Sequence, residues 1–132
     1  MRGSCQCDTV AFELTAPITW AHNCHCSRCR KARAAAFASN GFTTLDGIRW
    51  LRGSEAVTLY QLPQARFFAQ AFCSRCGSPV PRADPGRGIA VIPYGCLDNA
   101  PDLPPQANIF VASKADWYVI ADRLPQFAAA RP

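Results

Sequence analysis

The stretch GSCQCDTVAFEL, residues 3–14, places two cysteines immediately before an alternating segment. The apolar side chains of Val10, Phe12 and Leu14 fall on one face of this segment, and polar side chains lie mainly on the other. A period of two is typical of a β-strand with one buried face. The sequence therefore predicts a strand over Thr9–Leu14, which starts next to the first cysteine pair.

Further short segments resemble this strand along the whole chain. The candidates are Ile18–His22, Ala35–Ser39, Ile48–Leu51, Ala56–Leu62, Arg66–Phe72, Gly88–Pro93, Asn108–Ala112 and Trp117–Ala121. Turn-forming pairs separate them, namely Asn40-Gly41, Asp46-Gly47, Arg52-Gly53, Pro85-Gly86 and Pro104-Pro105. Only Ser27–Ala36 has helix-forming composition, and it is long enough for one or two turns. We predict a mainly β fold of short antiparallel strands, with at most one or two short helical turns.

Length and composition indicate one domain spanning residues 1–132. The hydrophobic fraction is 49%, the charged fraction is 17% and the net charge is +5. This dispersed apolar content disfavours disorder, and the charge excess is too small for a nucleic-acid footprint. We read Trp20, Trp50 and Trp117 as packing aromatics, and we expect neither a membrane nor a nucleic-acid partner. The N-terminal residues lack an apolar leader, so we expect a cytoplasmic location.

The eight cysteines carry the strongest signal in the sequence. They form a C-x-C pair, a C-x-C-x-x-C triplet, a C-x-x-C pair and a single residue, at Cys5, Cys7, Cys24, Cys26, Cys29, Cys73, Cys76 and Cys96. A disulfide framework would need an oxidising compartment, and a chain this apolar can build a core without it. Clustered thiolates at these spacings are typical of zinc sites. Gly77, directly after the last pair, fits a turn with positive φ.

Zinc coordination suggests how seven of the cysteines divide between two ions. A closed structural site needs four ligands, which the two distant pairs supply: Cys5, Cys7, Cys73 and Cys76. The triplet Cys24, Cys26 and Cys29 then provides three ligands and leaves a vacant position, as in catalytic zinc sites. We predict two Zn²⁺ ions per chain. Spacing alone also permits ligands to be exchanged between the sites.

A second structural site is the competing interpretation of the triplet. His22, His25 or Cys96 would then supply the fourth ligand. Cys96 could otherwise be a resolving thiol or a small buried hydrophobic residue, and we favour the last of these. A basic run at Arg28, Arg30, Lys31 and Arg33 interrupts the triplet. This run either offsets the charge of the site or forms ordinary solvated surface.

With its cysteine motifs in this order, the chain resembles the glutathione-dependent formaldehyde-activating enzyme family, which includes centromere protein V relatives. The resemblance rests on GSCQC at 3–7, CHCSRCRK at 24–31 and FCSRCGS at 72–78. It implies a zinc-containing complex β fold with the same division of ligands. It also implies a carbon–sulfur lyase that joins glutathione to formaldehyde and gives S-hydroxymethylglutathione. Asp8 departs from the glycine usual in the family, and we expect it to alter a turn rather than the chemistry.

Three functional hypotheses follow from these observations. In the first, a small thiol such as glutathione adds to a small aldehyde at the open site formed by the triplet, or the reverse reaction occurs. The second is a non-catalytic binding module stabilised by two closed zinc sites. The third is thiol redox or metal handling, because clustered thiolates can exchange zinc and oxidise. The protein would act as a monomer or a homodimer.

Overall fold

The computed structural model describes residues 1–132 and consists mainly of short strands. These strands are β1 (Arg2–Ser4), β2 (Ala11–Leu14), β3 (Trp20–Cys24), β4 (Ala38–Thr44), β5 (Ile48–Arg52), β6 (Val57–Gln61), β7 (Ala69–Cys73), β8 (Pro79–Val80), β9 (Arg82–Asp84), β10 (Ile89–Pro93) and β11 (Asn108–Ile109). The one α-helix, α1, spans Ser27–Arg33, and single 3-10 turns cover Ser54–Ala56, Tyr94–Cys96 and Val111–Ser113. The predicted mainly β fold is confirmed.

The strands form three sheets with the orders β1-β2-β5, β11-β3-β4-β10-β9 and β6-β7-β8. Neighbouring strands are antiparallel, except that β11 runs parallel to β3. The five-stranded sheet is the largest, and its β3 ends at Cys24, the first cysteine of the triplet. In the third sheet, β7 ends at Cys73. Each cysteine group therefore contains a cysteine that is the last residue of a strand.

The hydrophobic core lies partly around the first cysteine group. Cys5, Val10, Ala71, Cys73 and Val80 form one buried cluster, which combines the loop between β1 and β2 with strands β7 and β8. The side chain of Trp50 packs against this cluster. Phe12 is also fully buried, with its ring edge-on to the Trp50 ring at a centroid distance of 6.1 Å.

Two expectations about individual segments were wrong. Trp117–Ala121 begins in a turn and continues without regular structure rather than as a strand, and Trp117 is 72% exposed instead of packed. Asn40-Gly41 does not break the chain but lies inside β4. A Cβ at Gly41 would stand 2.4 Å from the Tyr94 ring, so this glycine makes room for an aromatic side chain.

The helix prediction was correct, although α1 ends earlier than expected. Ala34 follows the last helical residue with φ 48°, a left-handed conformation that stops the helix. Strands β1, β8 and β9 lay outside the predicted segments, since two or three residues are too few to show a period. No helix in the structure combines the length and apolar character needed to cross a membrane.

Candidate metal centres

The first candidate centre joins two cysteine pairs that lie far apart in the sequence. The sulfur atoms of Cys5, Cys7, Cys73 and Cys76 all lie within 4.8 Å of one another. Cys5 and Cys7 Sγ are 3.6 Å apart, and Cys7 and Cys73 Sγ are 3.9 Å apart. A tetrahedron of sulfurs about 2.3 Å from one zinc ion has edges of about 3.8 Å. The donor set and its dimensions therefore fit a structural zinc ion.

Local backbone geometry brings each pair of this centre together. After Cys5, the chain turns through Asp8, whose φ is 62°, and returns so that the Val10 amide donates to Cys5 Sγ at 3.3 Å. After Cys73, the chain turns through Gly77 at φ 74°, with its amide 2.8 Å from the Cys73 carbonyl oxygen. The positive φ predicted for Gly77 is confirmed. Asp8 likewise occupies a turn, as expected.

The thiols of this centre lie in contrasting surroundings. Burial raises the pKa of Cys5 to about 11, which disfavours its free thiolate. Hydrogen bonding between Cys76 Sγ and the Ser78 hydroxyl, 3.3 Å apart, lowers the pKa of Cys76 to about 5. The Thr9 hydroxyl similarly lowers the pKa of Cys7. The exposed side of the centre can therefore carry thiolate, while a cation would be needed to hold charge on its buried side.

The second candidate centre is formed by the triplet at the junction of β3 and α1. The sulfur atoms of Cys24, Cys26 and Cys29 lie within 4.8 Å of one another. Cys24 ends β3, whereas Cys26 is the N-cap of α1 and accepts a hydrogen bond from the Cys29 amide at 3.4 Å. The short turn between strand and helix thus directs three sulfurs to one point, and thiolate is a preferred ligand of zinc.

Negative charge in the triplet is held mainly at Cys26. Hydrogen bonds from the Cys24 and Cys29 thiols lower the pKa of Cys26. The pKa values of the other two thiols shift in the opposite direction. The hydrogen bond to Cys26 raises the pKa of Cys24 to about 11. Hydrogen bonds with Cys24, and to a smaller extent with Cys26, raise the pKa of Cys29. Three sulfurs that share one charge are the kind of group that a divalent cation would deprotonate fully.

Neither histidine joins the two sulfur groups. His25 is fully buried, with Nε2 2.8 Å from the Asn108 Oδ1 atom, and Asn108 in turn donates to Asp122 at 2.9 Å. The His22 ring lies beside the stacked rings of Trp20 and Phe42, with centroid distances of 5.1 Å and 4.9 Å. Burial lowers the pKa of His22 to about 4, so its ring is neutral near pH 7. His25 is therefore linked by hydrogen bonds to Asn108 and, through Asn108, to Asp122.

Cys96 also lies outside both sulfur groups. Its Sγ donates to the Pro93 carbonyl oxygen at 3.0 Å. Burial raises the pKa of Cys96 to about 12, which keeps the thiol protonated and poorly reactive. These surroundings match the small hydrophobic residue favoured from the sequence.

A cavity of about 420 Å³ opens beside the triplet and includes all three of its cysteines in the lining. His22 and several aromatic side chains form one part of the wall, including the Trp20 and Phe42 rings, which stack at 3.8 Å. Of the basic run, only Arg28 and Arg33 reach this cavity. A pocket of this size and apolar character is typical of small-molecule sites.

Four further arginines in the wall were not identified from the sequence: Arg66, Arg82, Arg87 and Arg131. They lie outside the cysteine motifs, in separate segments of the chain. In the sequence these arginines contribute only to the net charge of +5, and a net charge does not show which residues lie together in the fold.

Fold and sites together define a small β protein with two sulfur clusters that could hold metal ions, consistent with zinc. Residues 1–113 match the model of the family described as glutathione-dependent formaldehyde-activating enzyme. The chain belongs to this family, which confirms the resemblance seen in its cysteine motifs.

Two individual proteins are similar to this chain in sequence or in structure. A candidate glutathione-dependent formaldehyde-activating enzyme of Halomonas elongata is 30% identical over 130 residues, a match that covers 93% of this chain and 82% of that protein. The crystal structure of a Rhodobacter sphaeroides protein from a structural genomics programme is similar, with a TM-score of 0.60 and 28% identity. The match covers 77% of this chain and 92% of that one.

Proposed function

We propose that the protein is a zinc-dependent carbon–sulfur lyase that joins a small thiol such as glutathione to a small aldehyde such as formaldehyde, or catalyses the reverse reaction. One observation carries this proposal. The three sulfurs of Cys24, Cys26 and Cys29 form a group without a histidine or a fourth cysteine, and they line a cavity of about 420 Å³. The family description and the name of the Halomonas elongata relative support the choice of substrates.

In this proposal the two sulfur groups have different tasks. The four-cysteine group would hold a structural zinc ion, and Cys24, Cys26 and Cys29 would hold a second zinc ion that supplies Lewis-acid chemistry to the substrate. Zinc at such a site favours the thiolate form of a bound thiol, which makes it nucleophilic at neutral pH. We keep the expectations of one domain over residues 1–132 and a cytoplasmic location, with the chain a monomer or a homodimer.

The reaction balances without an external oxidant or reductant. The substrate sulfur forms a bond to the aldehyde carbon while the carbonyl π bond breaks, and the thiol proton ends on the resulting hydroxyl oxygen. The buried Nδ1 atom of His22 has no hydrogen-bond partner, and its low pKa keeps the ring neutral. The His22 ring lines the cavity, and as a neutral base it can accept a hydrogen bond from the thiol or the new hydroxyl group. Arg28 and Arg33 stabilise negative charge nearby, and the apolar wall limits access of water.

A pair of matched cysteine variants tests the proposal. Cys26→Ser should reduce the zinc content from two ions to one and lower the rate of S-hydroxymethylglutathione formation to that of the uncatalysed reaction. Cys96→Ser should keep both ions and nearly all of the activity, because this thiol lies outside both groups. Metal content is measured by mass spectrometry, and product is measured by NMR exchange between formaldehyde and glutathione. Full activity in a Cys26→Ser protein that still holds two ions would disprove the mechanism.

One observation favours an architectural role for the triplet as the second candidate. Cys24 is buried in a cluster with Ala107 and Ile109, and the other two cysteines of the triplet pack against this cluster. A second zinc ion would then tie β3, α1 and β11 together without chemistry. Zinc-edge X-ray absorption distinguishes the two cases. Sulfur as the only ligand type at both ions would favour the binding module, whereas a light-atom ligand at one ion would favour the enzyme.

A further inference from the structure

One wall of the cavity contains an ordered group of arginines around an exposed ring. The Phe67 ring is 42% exposed, and the guanidinium carbons of Arg66 and Arg87 lie 4.9 Å and 5.2 Å from its centroid. Arg82 donates to the Phe67 carbonyl oxygen at 3.3 Å. Cation–π contacts and this backbone hydrogen bond hold the three guanidinium groups on one side of the cavity.

The charges of this wall are only partly compensated. The buried carboxylate of Asp84 accepts from Arg82 at 3.3 Å and from Arg87 at 2.8 Å, with both bonds directed to the same oxygen. Arg66 has no carboxylate partner. Asp84 does not line the cavity, whereas all three arginines do. The wall therefore presents excess positive charge and unused N–H donors to the space beside the triplet.

We propose that Arg66, Arg82, Arg87 and Phe67 form a subsite for a carboxylate, and that this carboxylate belongs to the thiol substrate. Planar guanidinium groups match carboxylates in bidentate geometry. A one-carbon aldehyde would fill only a small part of a cavity of about 420 Å³, so the thiol must occupy most of it. The identity of the ligand as a thiol rests on the proposed function. The subsite itself rests on the arrangement of the arginines.

Binding of S-methylglutathione to the zinc-loaded protein tests the subsite separately from catalysis, because this thioether has no proton to lose. Arg66→Gln and Arg87→Gln should each weaken binding by about tenfold, the effect of losing one charge-assisted hydrogen bond. Both variants leave Asp84 paired with Arg82, so the fold is retained. Arg123→Gln, an exposed arginine outside the cavity, changes the net charge equally and should bind like the wild type. Calorimetry and tryptophan fluorescence both report binding, because Trp20 lines the cavity.

Esterification provides the complementary comparison. The diethyl ester of S-methylglutathione should bind weakly and about equally to the wild type and to both cavity variants. Unchanged affinity of the free acid in Arg66→Gln and Arg87→Gln would overturn the subsite, even if thiol–aldehyde turnover were observed. Arginine-dependent binding without any turnover would support the subsite and refute the proposed function.

A last comparison identifies which substrate carries the carboxylate. With formaldehyde as the aldehyde, the variants should raise KM for glutathione but leave KM unchanged for 2-mercaptoethanol, a thiol without a carboxylate. With 2-mercaptoethanol as the thiol, KM for glyoxylate should be the same in the variants and the wild type. A selective rise in KM for glyoxylate would show that the arginines bind the aldehyde instead, and would overturn the assignment to the thiol.

Discussion

At the scale of single residues, two left-handed positions shape the four-cysteine group. Asp8 has φ 62° and Gly77 has φ 74°, and each follows directly after the second cysteine of its pair. Aspartate is one of the few residues other than glycine that adopts this conformation readily. The Asp8 carboxylate also forms an ion pair with Arg52. Asp8 therefore holds, in the first cysteine pair, the turn position that Gly77 holds in the second.

Substitution of Cys73 tests whether the four-cysteine group stabilises the fold. Cys73 is fully buried, so Cys73→Ala removes both a metal ligand and core volume. Structural zinc contributes about 10–16 kcal/mol in small zinc peptides, as much as the entire stability of a typical domain. We expect this variant to be largely unfolded by circular dichroism. Cys96→Ala should stay folded with two zinc ions, and a folded Cys73→Ala protein with two ions would contradict the assignment.

Tyr94 provides a prediction about alkaline pH. Burial raises its pKa to about 12, and its hydroxyl donates to the Leu103 carbonyl oxygen at 2.6 Å. In the unfolded chain the Tyr94 hydroxyl ionises near pH 10. The buried, protonated Tyr94 hydroxyl therefore stabilises the fold fully below about pH 10, and this stabilisation is lost as the pH rises toward about 12. In an ultraviolet titration, the difference between the wild type and Tyr94→Phe should show one phenol with a midpoint near pH 12. A midpoint near pH 10 would show that the hydroxyl is accessible.

At the scale of elements, the cysteine triplet also supplies the N-terminal cap of α1. Cys26 adopts an extended conformation and caps the helix with its side chain, while Cys29 lies in the first turn. The helical spacing brings both sulfurs to the end of β3. A helix of only seven residues is marginal by itself, so we attribute its stability to this junction.

Gly53, directly after β5, tests how closely the chain packs against the residues before β2. Gly53 has φ 73°, and a Cβ there would lie 2.0 Å from the Thr9 carbonyl oxygen beside β2. Gly88 has a similar φ of 67° but open space around it. Gly88→Ala should cost about 1 kcal/mol from backbone strain alone, whereas Gly53→Ala should cost about 3 kcal/mol or more. Urea unfolding measures both values, and equal costs would show that the contact with Thr9 relaxes easily.

At the scale of the whole molecule, the two sulfur groups differ in what they connect. The four-cysteine group joins the loop between β1 and β2 to the end of β7, two segments from different sheets. The triplet lies within one short segment, and residues from distant parts of the chain, such as Ile109, pack against it without supplying a sulfur ligand. Loss of metal should therefore affect the fold very differently at the two sites.

Stepwise chelation should separate the two ions. We expect a moderate concentration of EDTA to remove the ion held by the triplet first and to abolish turnover, while the β-sheet circular dichroism is retained. Removal of the second ion should coincide with unfolding. Native mass spectrometry counts the ions at each step. Loss of sheet signal together with the first ion would show that the triplet, rather than the four-cysteine group, maintains the fold.

The sequence by itself determined the metal-ligand candidates, the mainly β character and the position of α1, because spacing and periodicity are local properties. Only the tertiary structure decided that Asn40-Gly41 continues a strand, since the Tyr94 ring that packs there comes from a remote segment. The arginine wall likewise depends on strand pairing and long turns that bring Arg66, Arg82 and Arg87 to one cavity. A sequence pattern cannot show this convergence, because no spacing along the chain encodes contacts between distant segments.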